Sequence, residues 1–326
     1  MLLFCVLPIW SSPMTNTLFS HHLTTPTPIA MPAFRACAAL DGALSDEANK
    51  TCASDLFEAF LDNFGPDIAY AATSGRSRWT PKLVKPTATK LKRMREVIAN
   101  GFNTHTGMRL YGPDTNALGK PAVPFLSITQ VYPTFIVIDI AVPHDHPNRD
   151  AFAQASDRAL RLAKLMAGYQ GFGFFKSPIS GLADNNLPVA SDRFRAATMA
   201  EWMGNPSCTL WSPRTADNWP GYEAGITELG WRTYVGRMFT DRITAAPAAS
   251  LTIEDMPNMQ IVTAGPAPIW GDVNANEDIT AYKDAYAYLA PAFTSRDMLR
   301  SSTLGGIPSY DPARAAVVDG YLNRFA

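Results

Sequence analysis

Residues 127–142 read SITQVYPTFIVIDIAV, and the fold turns on them. β-branched and aromatic residues dominate the stretch, and no helical period runs through it, so it predicts one strand. HDHPN (144–148) follows as a loop. RDAFAQASDRALRLAKLMAGY (149–169) predicts a helix, because Phe152, Ala155, Ala159, Leu162, Ala163 and Met166 make one apolar stripe with charges opposite. QGFGFFKSPI (170–179) predicts another strand. Strand, helix and strand in that order lay a helix over a sheet.

Outward from this centre, FRACAALDGAL (34–44) predicts a first strand. SDEANKTCASDLFEAFLDNFG (45–65) predicts a helix carrying Phe57, Phe60, Leu61 and Phe64 on one face, ended by Gly65-Pro66. Asp67 to Trp79 reads as strand and turn. Residues 76–95 hold eight cations and no acid. They are either an acid- or phosphate-binding patch or the solvated face of a helix that Thr87 or Thr89 caps and that runs through Ile98. Segment 181–224 is irregular and carries Trp202, Trp211 and Trp219. GWRTYVG (230–236) predicts a strand with Trp231, Thr233 and Val235 on one face and Arg232, Tyr234 and Gly236 on the other. Its two glycines mark the strand ends or a close backbone approach. Met259–Ala264 is a short strand, and 278–293 is a helix with Tyr282, Ala285, Tyr286 and Leu289 on one face.

These elements make an α+β fold: a mixed, mostly antiparallel sheet covered by helices, with a disordered N-terminal leader. The Thr- and Pro-rich start, without any period, sets the division at a leader over 1–33 and a single domain over 34–326. The apolar stretch MLLFCVLPIW lacks a basic flank, is broken by Pro8, and falls short of the roughly 20 residues needed to span a bilayer. A cytoplasmic location follows, with a periplasmic one as the alternative if residues 1–30 direct export.

The chain has 326 residues, a net charge of −1 and a pI near 6.5. That balance argues against a nucleic-acid-binding domain, which would be basic or carry a basic face, and against a polyanionic mimic. Four cysteines, Cys5, Cys37, Cys52 and Cys208, contain no C-x-x-C pair and read as isolated thiols.

Signatures of catalysis are sparse. His144-Asp145-His146 has a metal-like spacing without an evident third and fourth ligand. Asp272-Val273-Asn274-Ala275-Asn276 copies the start of a calcium loop, but Glu277 stands where glycine is needed and Lys283 where glutamate is needed. That stretch reads instead as a polar turn with Asp278 capping the next helix. Nucleophile elbow, phosphate loop and dinucleotide fingerprint are all missing from the sequence.

Several segments in order do form a pattern: Trp79-Thr80-Pro81, FIVIDIAVP, ALRLAKLMAGYQGFGFF, PGYEAGI, GWRTYVGRMFTDRI and GDVNANEDITAYKDAYAYL. This order resembles the type VI secretion immunity proteins. The resemblance rests on Gly230, Trp231, Thr233, Tyr234, Val235 and Gly236, then on Gly271, Asp272, Asn274, Glu277 and Asp278, and it spans roughly residues 50–295. It implies a protein without enzymatic activity or cofactor that binds a cognate effector toxin, a nuclease encoded by the adjacent gene, and blocks it stoichiometrically. No direct contact with nucleic acid or membrane is implied. The candidate partner-binding residues are Trp211, Trp219, Arg232, Arg237, Asp272, Asn274, Glu277 and Asp278. The alternative is a metal-dependent hydrolase built on the loop of His144 and His146.

Overall fold

The computed structural model describes residues 18–20, 27–74, 83–101, 107–114, 121–131, 135–176, 192–198 and 224–294, with 312, 316, 319–321 and 323–325 near the C-terminus. Its centre is a ten-stranded sheet. The strands are β1 (Leu18–Ser20), β2 (Thr27–Asp41), β3 (Tyr70–Ser74), β4 (Gly107–Asp114), β5 (Pro121–Val131), β6 (Phe135–Pro143), β7 (Leu165–Lys176), β8 (Arg232–Gly236), β9 (Leu251–Asp255) and β10 (Met259–Ala264). They lie in the order β3-β4-β5-β6-β2-β7-β8-β10-β9, with β1 on β2. Every pairing between these strands is antiparallel. The helices are α1 (Glu47–Phe64), α2 (Ala88–Ala99), α3 (Arg149–Leu162), the short α4 (Arg237–Thr240) and α5 (Thr280–Leu289).

β2 runs down the middle, flanked by β6 and β7. β6 and β7 are consecutive in the chain, so α3 crosses over β2 to join them. This is the predicted helix over a sheet, with a strand inserted between the two it connects. Alternation along the strands then separates two faces. Phe34, Ala36, Ala38 and Leu40 of β2 and Ile136, Ile138, Ile140 and Val142 of β6 are buried together with Cys52, Leu56, Phe57, Phe60 and Phe64 of α1 and Phe152 and Leu160 of α3. On the other face, Val235, Val262 and Ala264 pack with Tyr282, Ala285, Tyr288 and Leu289 of α5.

The caps follow local chemistry. Asp46 accepts from Ala48 N at the start of α1, and Thr87 accepts from Lys90 N at the start of α2. Cys37 and Cys52 are both buried.

Four boundaries differ from the sequence reading. Residues 127–142 belong to two strands, β5 and β6, paired in register from Phe125↔Ala141 to Val131↔Phe135. The single proline in YPT, between them, was the break signal inside an otherwise uniform β-rich run. α3 stops at Leu162, and β7 starts at Leu165 rather than at residue 170. The Ala- and Leu-rich sequence favours more helix, but the backbone at 164 is taken by tertiary bonds: Lys164 N donates to Asn49 Oδ1 at 3.1 Å and Asp41 N to Lys164 O at 2.7 Å. Leu162 is accordingly 53% exposed, and Leu160 takes the core position. β2 begins at Thr27, ahead of Phe34, because pairing with β1 and β7 supplies bonds that local composition does not advertise. β4 and β9 carry no strand signal strong enough to read alone, and their neighbours hold them.

Candidate functional site

Register places an unexpected feature on the face of the sheet turned away from α1 and α3. Arg109, Ser127, Asp139, Cys37, Tyr169 and Thr233 are successive cross-strand partners on β4, β5, β6, β2, β7 and β8. A polar row therefore crosses the middle of the sheet. Ser127, Cys37, Tyr169 and Thr233 are buried, and the Asp139 side chain is 27% exposed. Arg35 joins the row from the next register line, 1% exposed. Its Nη2 lies 2.5 Å from Asp139 Oδ1, and its Nη1 donates to Phe174 O at 2.9 Å. The Cys37 thiol donates to Asp139 Oδ1 at 3.3 Å. Burial raises the Tyr111 phenol above its ordinary range, opposed by nearby Arg109.

A buried ion pair in a sheet core costs desolvation and is held by geometry, so the row specifies how the strands align more than it adds stability. Among the described residues, the Cys37 thiol meets a carboxylate already paired to arginine and the guanidinium itself. The sequence did carry the signal, an aspartate inside FIVIDIAV and an arginine inside FRACAAL. A polar residue in an apolar run is more informative than any apolar one.

A second network sits under α3. Asp157 accepts from Tyr234 Oη at 2.6 Å and from Arg161 Nε at 2.9 Å, and Arg232 Nη1 stands 3.1 Å from it. Arg161 also forks onto Glu254 at 2.8 and 2.9 Å. Burial pushes the Tyr234 phenol well above its usual range, and the adjacent Asp157 adds to the shift. Hydrogen bonding from Arg161 holds the Glu254 carboxyl below its ordinary value. The faces of GWRTYVG are as predicted: Tyr234 faces the helical layer and Val235 faces α5. A Cβ on Gly230 would stand 2.4 Å from Gln170 O, and one on Gly236 2.2 Å from Leu165 O. Both glycines are demanded by backbone approach.

Among the described residues, the candidate partner residues fall in two groups, Arg232 and Arg237 at β8 and Asp272, Asn274, Glu277 and Asp278 in the turn before α5. Arg232 stacks over Trp231 at 4.7 Å and pairs with Asp157, so its charge is satisfied internally. Arg237 is half-exposed, pairs with Asp255 at 2.8 Å and donates to the Met256 carbonyl. Asp272 is buried, gripped by Arg193 through bonds of 3.0 and 2.9 Å. Those bonds hold its carboxyl below the ordinary range. Glu277 accepts from Asp272 N at 2.8 Å, closing the turn from within. Asn274 and Asp278 are exposed, with Val273 beside them at 43% exposure. Asp278 accepts from Thr280 N at 2.8 Å, but the N-cap of α5 is Ile279, which makes no side-chain capping bond, so the expected cap at Asp278 falls one residue short of the helix. Trp211 and Trp219 lie outside the described residues.

The two loop histidines point to different neighbours. His144 packs 5.6 Å from Trp270, whereas His146 packs 4.8 Å from Phe64 and lies 3.3 Å from Asp67. Among the described residues no three His, Cys, Asp or Glu side chains are grouped to hold a metal ion. Among the same residues, no helix is long and apolar enough to cross a membrane.

No protein-family model matches the chain, and no curated protein matches it. Among solved structures it is similar to the Pseudomonas aeruginosa T6SS protein PA0821, with a TM-score of 0.68 and 15% identity over 92% of this chain and 85% of that one. Identity that low shows a shared fold and nothing further. A second match is to the toxic C-terminal tip of CdiA from Pseudomonas aeruginosa in complex with immune protein. Its TM-score is 0.21 at 12% identity over 43% of this chain and 86% of that one, too low to carry an argument.

Proposed function

We propose that this chain is an immunity protein that binds a cognate type VI secretion effector and neutralises it stoichiometrically in the cytoplasm, without catalysis or cofactor. The observation that carries this reading is the fold shared with a T6SS protein along nearly the whole chain. Two features support it. The ordered motifs GWRTYVG and GDVNANED, which resemble those of immunity proteins, serve as architecture: close-packed glycines, a buried tyrosine and a sealed turn. Among the described residues, the conspicuous polar clusters are internally paired.

The favoured partner is a nuclease toxin encoded by the adjacent gene. With a net charge of −1, inhibition rests on shape and local contacts rather than on imitation of nucleic acid. The contact residues proposed are Trp211, Trp219, Arg237, Asn274 and Asp278. Arg232, Asp272 and Glu277 act behind them by fixing β8 and the turn. An interface of this kind buries about 1,200–2,000 Å² and depends on a few aromatic or arginine anchors.

The test is survival. The adjacent open reading frame is expressed in a susceptible bacterium with and without this chain. Killing that this chain relieves, together with a one-to-one complex on purification, supports the proposal. Killing that continues in its presence overturns it.

A further inference from the structure

Residues 76–95 carry eight cations and no acid, and the structure describes them from residue 83. α2 buries Met94 and Ile98, with Leu91 and Val97 packed partly against the same core, and this fixes its outward side. Lys85, Lys92, Arg93 and Glu96 are exposed. Helical spacing sets Lys92, Arg93 and Glu96 together.

Among the described residues, the acids of α1 serve Arg95 in this group. It forks onto Glu58 at 2.6 and 2.7 Å, and Asp62 adds to the attraction. Lys90 reaches instead to a hydroxyl, Thr73 Oγ1 on β3, at 3.0 Å. Burial there and the neighbouring Arg93 lower its ammonium below the ordinary value. Among the described residues, Lys85, Lys92 and Arg93 form no ion pair. Local electrostatics disfavour this placement. Thr87 caps α2, so Lys90 stands in the first turn and Lys92 and Arg93 in the next, at the positive end of the helix dipole. The first turn holds no acid. Lys90 and Arg93, three residues apart, are a like-charge pair that costs stability. A local rule broken at an exposed site marks a role outside the fold.

We infer, on the reading that this chain binds a cognate effector, that the N-terminal half of α2, with Lys85 before it, docks a carboxylate-rich face of that effector protein. Charge complementarity selects the occupant, because Lys85, Lys92 and Arg93 attract acid and repel base. The whole chain has a net charge of −1, so the excess is local and directs approach to this corner. A protein face fits better than a nucleic acid. Glu96 lies one turn beyond Lys92 on the same side, where it would meet a phosphate backbone that followed the helix. α2 carries no aromatic residue on which a base could stack. β3, which Lys90 touches, and β8, which Arg237 follows, have β4, β5, β6, β2 and β7 between them, so α2 is a contact region apart from Arg237.

The test is the association kinetics of the full chain with the purified product of the adjacent open reading frame. The wild-type association rate should fall as ionic strength rises from about 0.01 to 1 M, over which the Debye length shrinks from about 30 to 3 Å. Lys92→Glu combined with Arg93→Glu should lower that rate by roughly tenfold or more and flatten its salt dependence. Acids near the start of a helix suit its dipole, so the circular dichroism spectrum should not change. Glu96→Lys should raise the rate. Wild-type binding whose rate is indifferent to the double reversal overturns this assignment alone and leaves the effector reading standing. A wild-type chain that does not bind the effector overturns both. Binding of a DNA duplex or single-stranded RNA that the double reversal abolishes, with effector binding unchanged, gives the face to nucleic acid and overturns the assignment as well.

Discussion

Replacing Asp157 by alanine tests the reasoning about the network under α3 most directly. The Asp157 side chain is 13% exposed and serves Tyr234, Arg161 and Arg232 at once. Alanine strands the Tyr234 hydroxyl in a site with no solvent exposure, and an unsatisfied buried hydroxyl costs about 1–3 kcal/mol. Arg161 keeps Glu254, but Arg232 loses the carboxylate it touches and retains Trp231, the Tyr234 oxygen and the longer-range influence of Glu254. Removing one member of a buried pair costs about 3–5 kcal/mol. The partial exposure of Arg232 lowers that figure through solvent screening, so about 3–4 kcal/mol is expected in all. Urea denaturation followed by circular dichroism reads it as a lower midpoint at unchanged slope. Tyr234→Phe alone should cost about 1 kcal/mol. In the Asp157→Ala background the same change should be neutral or stabilising, because it removes the orphaned hydroxyl, giving a coupling of about 1–2 kcal/mol. A loss below about 1 kcal/mol for Asp157→Ala, or strict additivity in the pair, would refute the account.

Other expectations follow from named contacts. Gly230→Ala and Gly236→Ala drive a methyl into the Gln170 and Leu165 carbonyls, and thermal unfolding should register about 1–3 kcal/mol or more for each. Gly65→Ala, with nothing within 4 Å of the new Cβ and helical backbone angles, should be neutral or slightly stabilising in the same assay. Glu228 is buried and receives Arg324 Nη2 at 2.7 Å and the Tyr321 hydroxyl. Glu228→Ala should therefore destabilise by about 3–5 kcal/mol and expose the C-terminal residues to proteolysis. Arg193 holds the Asp272 carboxyl, and Arg161 the Glu254 carboxyl, below their ordinary values of 3.8 and 4.5. A depressed carboxylate contributes stability that is complete above its unfolded value and is lost as pH falls through its folded one. Stability measured by urea should thus fall as pH drops through and below the ordinary carboxylate range, and Asp272→Asn should flatten part of that slope.

Much was legible locally because it depends on local chemistry. Period placed α1 and α5, and Thr87, one of the two caps offered, starts α2. Alternation assigned the two faces of GWRTYVG, and the failed calcium loop read correctly as a turn leading into a helix, although the N-cap is Ile279 and not Asp278. Where α3 ends was not legible, since Asn49 and Asp41, far away in sequence, take the backbone at 164. Nor was the start of β2, whose bonds come from β1 and β7.

The sequence by itself determined an antiparallel-rich sheet with helices laid over it, because side-chain period and backbone preference act between neighbours in the chain. It also showed two polar residues, Arg35 and Asp139, in runs that should be wholly apolar. Only the tertiary structure decided that these two meet, that they lie along a row from Arg109 to Thr233, and that Arg232 and Asp272 turn their charge inward while Asn274 and Asp278 face solvent. The physical reason is register. A shift of one residue between paired strands exchanges their faces, and register is set by packing and pairing across the whole sheet, not by any segment read alone.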